Sequence, residues 1–285
     1  MAEPGGFDAK RTLRIVGQRA SRGRWIRKAQ LVRRYGATIP GELRYVLADP
    51  ELDTFSYELA NADDLAKAVA DAAAVPATTV SGLFAEVRTD KVLADRIRRA
   101  TRWHPEAKRR PPLGRQLARY AMTRLLRPEL IVECGIKHGL GAAVMLRALE
   151  RNAEDGAQLG QLIGIDPDPR AGWLVSARTI GWERVVARST DALPGVLRGR
   201  PTGLLVHDSV PDVAVARYEY EAALACAAPA LALIGNGNWT SALRDLGAER
   251  GFACYSVGER PAGHFYPGAV QDLAIVRAPD RPRDA

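Results

Sequence analysis

The sequence predicts an α/β protein: a doubly wound, Rossmann-like sheet of seven strands with an antiparallel last strand, preceded by a mainly helical N-terminal region. Two observations carry this prediction. From residue 113 onward, short apolar runs alternate with helical patterns, which is typical of parallel strands joined by crossover helices. After the last helical pattern, the apolar runs "FACYSV" and "DLAIVRA" are joined by a loop, which favours an antiparallel pair.

The strands and helices of the predicted α/β domain, residues 113–285, follow one another in a regular order. Short aliphatic runs bounded by Gly, Pro or Asp predict the strands. These strands are 130–134, 162–166, 184–188, 203–208, 230–235, 252–257 and 272–278. The predicted helices are 113–126, 140–152, 171–180, the run "VAVARYEYEAALACAA" and 239–249.

Residues 1–112 form a predicted N-terminal region with a basic arm, a hairpin and several helices. The hairpin is the stretch "LRYVLADPELDTFSYEL", in which two β-prone runs flank the turn-forming pair Asp49-Pro50. Helical patterns follow at 63–74 and 89–102. The stretch "KRRPP" at 108–112 then breaks the helical pattern and marks the domain boundary. We expect this region to act as a lid or as an oligomerisation contact, such as that of a homodimer.

The net charge of +8 belongs to the N-terminal arm. Between Asp8 and Glu42 there are ten Lys or Arg and no acidic residue, so the rest of the chain is slightly acidic. Such an arm attracts an acidic ligand, a nucleic acid or a membrane surface, and it also fits a solvated helix face or an organellar transit peptide. No zinc-finger or RNA-recognition signature accompanies it, so a nucleic-acid partner rests on charge alone.

Apolar and cysteine content exclude several classes of protein. No uninterrupted apolar stretch of about 18 residues predicts a membrane helix, and the N-terminus carries no secretory signal pattern. We therefore expect a cytoplasmic protein without a membrane partner. Cys134, Cys226 and Cys254 lie far apart in apolar surroundings, which favours buried reduced thiols over a disulfide framework or a zinc site.

The stretch "IVECGIKHGLGAAV" at 131–144 places three glycines between a predicted strand and a predicted helix. In an open α/β sheet this turn lies at the carboxyl ends of the strands, where glycines let the backbone approach a ligand closely. Asp166 ends the next strand, and a carboxylate there can accept hydrogen bonds from both hydroxyls of a ribose. A tight turn that serves packing alone is the alternative interpretation.

The spacing of these glycines separates the nucleotide classes. A dinucleotide site shows G-x-G-x-x-G, whereas here Glu133 precedes glycines at 135, 139 and 141, so NAD is disfavoured. An acidic residue two positions before the first glycine resembles motif I of class I S-adenosylmethionine (SAM) dependent methyltransferases, and the resemblance covers about residues 113–279. It implies a cofactor site formed by Glu133, Gly135, Gly139, Gly141, Asp166 and Asp191. His138 lies within the glycine loop and is a further candidate, because it could face the cofactor; an ordinary loop residue is the alternative.

The resemblance also implies which part of the cofactor each residue binds. Glu133 and the glycine loop would hold the methionine portion, Asp166 the ribose, and Asp191 in "RSTDALP" the adenine amino group. Lys137 departs from the family pattern, because many members have a glycine at that position. The loop must therefore be shaped differently, or the lysine must point outward.

The segment "LLVHDSVPDVAVARYEYEAALACAAPALALIGN" resembles the fourth and fifth strands of small-molecule O-methyltransferases, including those that tailor sugars and natural products. It keeps the pair His207-Asp208, but Pro211-Asp212 stands near the Asp-His pair of the family. The resemblance implies methyl transfer to a small-molecule acceptor, most simply at a hydroxyl. A hydroxyl acceptor needs a base, and histidine titrates near neutral pH, so His207 is the candidate base. A histidine that only packs and hydrogen-bonds is the alternative.

Asp208 is the second candidate catalytic residue, because it could orient a base, bind the acceptor or ligate a cation. Some related enzymes bind a divalent cation, and the corresponding positions here are Asp208, Asn236 and Asn238. Hard cations prefer several carboxylates and only one is offered, so magnesium is disfavoured and no metal ligand is assigned.

Two other functions stay open from the sequence. The basic arm suggests methylation of RNA or of another acidic macromolecule, which would show strongly salt-dependent binding. Lys137 and the missing Asp-His pair suggest a non-catalytic, methyltransferase-like binding subunit.

Overall fold

A computed structural model describes residues 26, 28–30, 32–34, 57–102, 111–264 and 266–277. The chain divides into two compact units, Met1–Pro50 with Gly263–Pro267, and Glu51–Ala262 with Gly268–Ala285. In the first unit, the described residues of the basic arm are helical, and Lys28 and Val32 are buried. The rest of the arm and most of the predicted hairpin lie outside the described residues.

The second unit is built on a seven-stranded sheet with the order β3-β2-β1-β4-β5-β7-β6. Strands β1 to β5 are parallel, and β7 is antiparallel to both β5 and β6. This topology confirms the predicted fold class and its antiparallel last strand. The strands are β1 Leu130–Cys134, β2 Gln161–Ile165, β3 Trp182–Val185, β4 Thr202–His207, β5 Ala227–Asn236, β6 Cys254–Gly258 and β7 Val270–Arg277.

Eight helices in the described residues of this unit flank the sheet. They are α1 Ala62–Ala73, α2 Ala77–Thr89, α3 Lys91–Thr101, α4 Gln116–Leu126, α5 Leu140–Glu154, α6 Ser189–Leu197, α7 Val213–Ala225 and α8 Ala242–Arg250. One sheet face packs against α6, α7 and α8 through an apolar core that includes Val132, Cys134 and Leu205. Because side chains alternate along a strand, Glu133 turns to the other face, where it meets α4. None of the described helices has the length and apolarity needed to cross a bilayer.

The helices α1 to α3 group with the sheet rather than with the first unit. Asn61, before α1, donates from Nδ2 to the carbonyl of Gly258 at the end of β6 at 2.8 Å. Asp90 caps α3 by accepting from the amide of Leu93, and its carboxylate also binds the buried Arg147 of α5 at 2.9 Å. The predicted boundary at 112–113 marks a change in sequence composition. The boundary between the two compact units lies instead after Pro50.

The helix predicted at 171–180 was wrong, because the segment 167–181 forms turns. Gly172 has a positive φ of 76°, and its amide donates to the carbonyl of Lys137 at 2.8 Å. The amide of Leu174 donates to the carbonyl of His138 at 3.0 Å. These bonds to the glycine loop replace bonds within a helix. Conversely, α2 and α6 were missed, and α6 contains Pro194, a residue that argues against a helix.

Candidate functional site

The glycine loop at the carboxyl end of β1 is packed too tightly for side chains at two of its glycines. Gly135 and Gly139 have φ values of 86° and 88°, which L side chains rarely adopt. A Cβ on Gly135 would lie 2.3 Å from the carbonyl oxygen of Asp208, and one on Gly139 would lie 2.9 Å from Cα of Gly172. The loop is thus wedged between the end of β4 and the turn segment that follows β2.

Gly141 has a different reason for its missing side chain. It lies in the first turn of α5, and a Cβ there would come within 2.2 Å of Arg119 Nη1 and 2.3 Å of Glu133 Oε1. Gly141 therefore makes room for an ion pair between two other residues. Its predicted part in the cofactor site would be indirect, through the position of Glu133.

Lys137 takes the left-handed conformation that glycine would provide, with φ of 51°, and the residue is exposed. The loop thus keeps a shape suited to glycine at this position. The left-handed conformation costs a non-glycine residue about 1–2 kcal/mol. Asp166 offsets part of that cost, because its Oδ2 accepts hydrogen bonds from the amides of Ile136 at 2.9 Å and Lys137 at 3.1 Å.

Two acidic residues follow the neighbouring strands at the same sheet edge. Asp166 lies after β2, and its Oδ1 accepts a hydrogen bond from the amide of Asp168 at 2.9 Å. Both of its carboxylate oxygens therefore already accept hydrogen bonds from backbone amides. Oδ2 already accepts from two amides, whereas Oδ1 keeps a second lone pair for a further donor. Asp191 lies in the first turn of α6, is exposed, and accepts from Thr190 Oγ1 at 3.2 Å. The structure therefore leaves room for a ligand donor at both carboxylates.

His138 is oriented by an aromatic neighbour. Its Nδ1 accepts a hydrogen bond from Trp173 Nε1 at 3.0 Å, and the two rings meet edge to face. In the neutral ring, the proton is then on Nε2. The half-buried imidazole is held in one orientation within the glycine loop.

A buried arginine of α4 joins the ends of β1 and β4. Arg119 Nη1 lies 2.6 Å from Glu133 Oε1, and Nη2 lies 2.6 Å from Asp208 Oδ2. One turn earlier, Arg115 Nη1 lies 3.9 Å from Asp208 Oδ1, and Nε lies 3.6 Å from Glu259 Oε1. Sequence reasoning missed both arginines. Their spacing of four puts them on one helix face, but it does not say that this face turns inward.

The two carboxylates that share Arg119 have opposite pKa shifts. Burial raises the pKa of Glu133 to about 8, although Arg119 acts to lower it. Burial also acts to raise the pKa of Asp208, but Arg119 and Arg115 outweigh it, and the pKa is lowered. Near neutral pH, Glu133 therefore carries a proton part of the time while Asp208 stays anionic. Glu133 Oε2 is buried without a hydrogen-bond partner among the described residues.

His207 faces the opposite side of the sheet from Asp208. Its Nδ1 lies 2.6 Å from Oε2 of Glu219, a fully buried residue of α7. Glu219 Oε1 accepts from Ser209 Oγ at 2.9 Å and also from Ser189 Oγ. The ring of His207 also meets Tyr220 edge to face, and the residue is 3% exposed. The two residues predicted to face the acceptor are thus separated, and sequence reasoning missed Glu219.

The positions considered for a cation do not form a carboxylate-rich cluster in the described residues. Asp208 is bound to Arg119, and Asn236 Oδ1 accepts from the amide of Asn238 at 3.3 Å. Among the described residues, no group of three or more His, Cys, Asp or Glu could hold a metal ion. Cys134, Cys226 and Cys254 are free thiols, and burial raises the pKa of Cys134.

Residues 132–236 match a family model described as a methyltransferase domain. The match spans the glycine loop and strands β2 to β5, together with His207 and Asp208. Residues 132–236, which include four strands of the described sheet, are therefore similar to a methyltransferase domain. A comparison with curated proteins gave no match.

Solved structures with a similar fold include three that were determined with a cofactor or its product. The cofactor-bound protein Rv0187 from MTB has a TM-score of 0.50 and 14% identity, over 66% of this chain and 91% of that one. The O-methyltransferase TomG from Streptomyces achromogenes, in complex with SAM, has a TM-score of 0.47 and 17% identity, over 66% and 90%. The O-methyltransferase from Bacillus cereus, in complex with SAH, has a TM-score of 0.48 and 13% identity, over 66% and 92%.

Proposed function

We propose that the protein transfers the methyl group of SAM to a hydroxyl of a small molecule. The methyltransferase domain at 132–236 sets the reaction class. The observation that carries the cofactor proposal is the close packing of the glycine loop, with Asp166 and Asp191 following the next two strands at the same edge. Carboxyl ends of adjacent parallel strands meet at one edge, which is where ligands bind in such sheets.

The proposed cofactor residues fit the chemistry of SAM. Asp166 would accept from a ribose hydroxyl with the remaining lone pair of Oδ1, and Asp191 would accept from the adenine amino group. Glu133 Oε2, which is buried without a described partner, would accept from an ammonium. Gly135 and Gly139 would let the loop approach the ligand, with His138 fixed beside it by Trp173, and Gly141 would act through the position of Glu133. The bound cofactor supplies an electrophilic methyl group for in-line displacement, and the chain supplies positioning.

Asp208 is the better placed of the two proposed acceptor-facing residues. It is half-buried beside Gly135 and stays anionic because Arg119 and Arg115 lower its pKa. A carboxylate with a lowered pKa is a weak base but a good hydrogen-bond acceptor, so we assign Asp208 to orienting the acceptor hydroxyl. His207 as the base stays a prediction. Its burial and its contact with Glu219 favour a positioning role, in which the imidazole holds the end of β4.

The cofactor proposal is tested by calorimetry with SAM and SAH. We expect micromolar binding by the wild type and at least tenfold weaker binding by Asp191→Ala. Asp191 is a clean choice because, among the described residues, its side chain contacts only its neighbour Thr190. The matched control is Asp245→Ala, which removes another exposed acid from a helix first turn, at α8, and should bind as the wild type does.

Two results would contradict the proposal. Folded wild-type protein that binds neither SAM nor SAH would contradict the proposal that SAM is the cofactor. Equal binding by Asp191→Ala and Asp245→Ala would contradict a role for Asp191 in the site. Binding without transfer of labelled methyl to any hydroxyl acceptor would favour the binding-subunit alternative. A nucleic-acid acceptor stays a prediction, because most of the basic arm lies outside the described residues. The homodimer and the cytoplasmic location also stay predictions.

A further inference from the structure

A pocket of about 520 Å³ lies between α3, the first turns of α5 and the turn segment 173–179. Its walls are mostly aliphatic and come from Leu93, Ile97, Ala143, Leu146, Leu174 and Val175. Small-molecule sites are typically about 300–1,000 Å³ and mainly apolar, so the pocket has the size and lining of a ligand site. None of its lining residues belongs to the proposed cofactor or acceptor site.

The pocket exists because the segment after β2 does not form a helix. Leu174 is tied to the glycine loop by its amide bond to His138, and Trp173 by its indole bond to the same residue. A segment that turns in this way leaves a pocket beside α3 and α5. Leu146 and Ile97, from these two helices, line the pocket but are almost fully buried, and the partly exposed apolar residues of the lining include Ala143 and Val175.

The pocket also carries a positive charge that the described residues do not balance. Arg96 lines it, but its Nη1 lies 2.5 Å from Glu150 Oε1. Arg99 lines it as well, and its Nε donates to the carbonyl of Asp95 at 3.3 Å. Among the described residues, no carboxylate lies within ion-pair distance of the Arg99 guanidinium. An anion in the pocket would thus find one unneutralised cation.

We propose that this pocket binds a small molecule with an apolar body and a single anionic group, such as a carboxylate or a sulfonate. The anionic group pairs with Arg99, and the apolar body packs on the partly exposed Ala143, Trp173 and Val175. A neutral ligand of the same shape lacks the charged hydrogen bonds to the guanidinium, which are stronger than neutral ones. A multiply charged ligand would place unpaired charge against aliphatic walls, which is costly. The proposal does not depend on methyl transfer.

The test uses anilinonaphthalene sulfonate, a fluorescent probe with an apolar body and one sulfonate. We expect saturable binding by the wild type and at least tenfold weaker binding by Arg99→Gln, which removes the cation. Ala143→Phe, which fills the pocket from α5, should weaken binding as much. The matched controls should bind as the wild type does. They are Arg98→Gln, on α3 with a 75% exposed side chain, and Ala153→Phe, half-buried on α5 outside the pocket.

Competition separates the anionic group from the apolar body. Octanoate should displace the probe, whereas octanol at the same concentration should displace at least tenfold less. Equal competition by the two would overturn the role of Arg99. Probe binding unchanged in both Arg99→Gln and Ala143→Phe, or absent from wild type whose circular dichroism shows a folded protein, would overturn the site itself.

Discussion

His207 and Asp208 are consecutive residues, yet they lie in two different polar environments on opposite faces of the sheet. On the α4 face, Asp208 and Glu133 share Arg119, so the buried groups are held by opposite charges. On the α7 face, Glu219 is held by an imidazole and two serine hydroxyls. Because a strand turns successive side chains to opposite faces, one step along β4 changes how a buried carboxylate is stabilised.

Removing the arginine should have the largest effect. Arg119→Leu leaves the buried Glu133 and the half-buried Asp208 without their shared cation, and breaking a buried ion pair costs about 3–5 kcal/mol. We expect the free energy of unfolding in urea to fall by that amount. Arg98→Leu breaks an exposed pair of the same residue types and should change it by less than about 1 kcal/mol. If the free energy of unfolding fell equally in Arg119→Leu and Arg98→Leu, burial would not strengthen the ion pairs of Arg119.

Changing the carboxylate of the other face should have a smaller effect. Glu219→Ala leaves His207 and Ser189 without their buried acceptor, and an unsatisfied buried polar group costs about 1–3 kcal/mol. We expect Glu219→Gln to recover part of the loss, because the amide keeps one acceptor oxygen. Urea unfolding of both variants measures this. A Gln variant as unstable as the Ala variant would show that the face depends on charge, as the Arg119 face does.

The pH dependence of Glu133 should be the most gradual of the three effects, because it is spread over several pH units. Its pKa is raised from the ordinary 4.5 to about 8, so the folded state holds a proton that the unfolded state releases between these values. This contribution to stability is fully present below pH 4.5 and is lost as pH rises through about 8. The unfolding free energy of the wild type, relative to Glu133→Gln, should thus fall with rising pH by at most about 1.4 kcal/mol per unit.

The control for that measurement is the Glu133→Gln variant itself, since its side-chain amide does not titrate. Urea unfolding across this pH range gives both curves. A difference that is flat, or that rises with pH, would show that Arg119 holds Glu133 ionised in the folded protein. The two carboxylates on Arg119 would then share one protonation state.

The fold and the position of the glycine loop were predictable from the sequence, because both follow from local periodicity and turn chemistry. Alternating apolar runs indicated the strands, and the glycines marked the loop that contacts Asp208 and Gly172. The inward turn of Arg119 and Glu219 was not predictable, because helical spacing does not tell which polar residue is buried. The helix at 171–180 failed for a related reason: the amides of Gly172 and Leu174 donate to carbonyls of the glycine loop, about 35 residues earlier in the chain.

The position of β7 between β5 and β6 has a consequence for biosynthesis. A growing chain emerges from its N-terminus, so β6 leaves the ribosome before Val270–Arg277, its only strand partner in the described sheet. Until then β5 presents an unpaired edge and β6 cannot join the sheet, a state in which exposed strands pair with other chains. A nascent chain stalled before residue 270 should therefore be a chaperone substrate, because the sheet closes only when β7 has been synthesised.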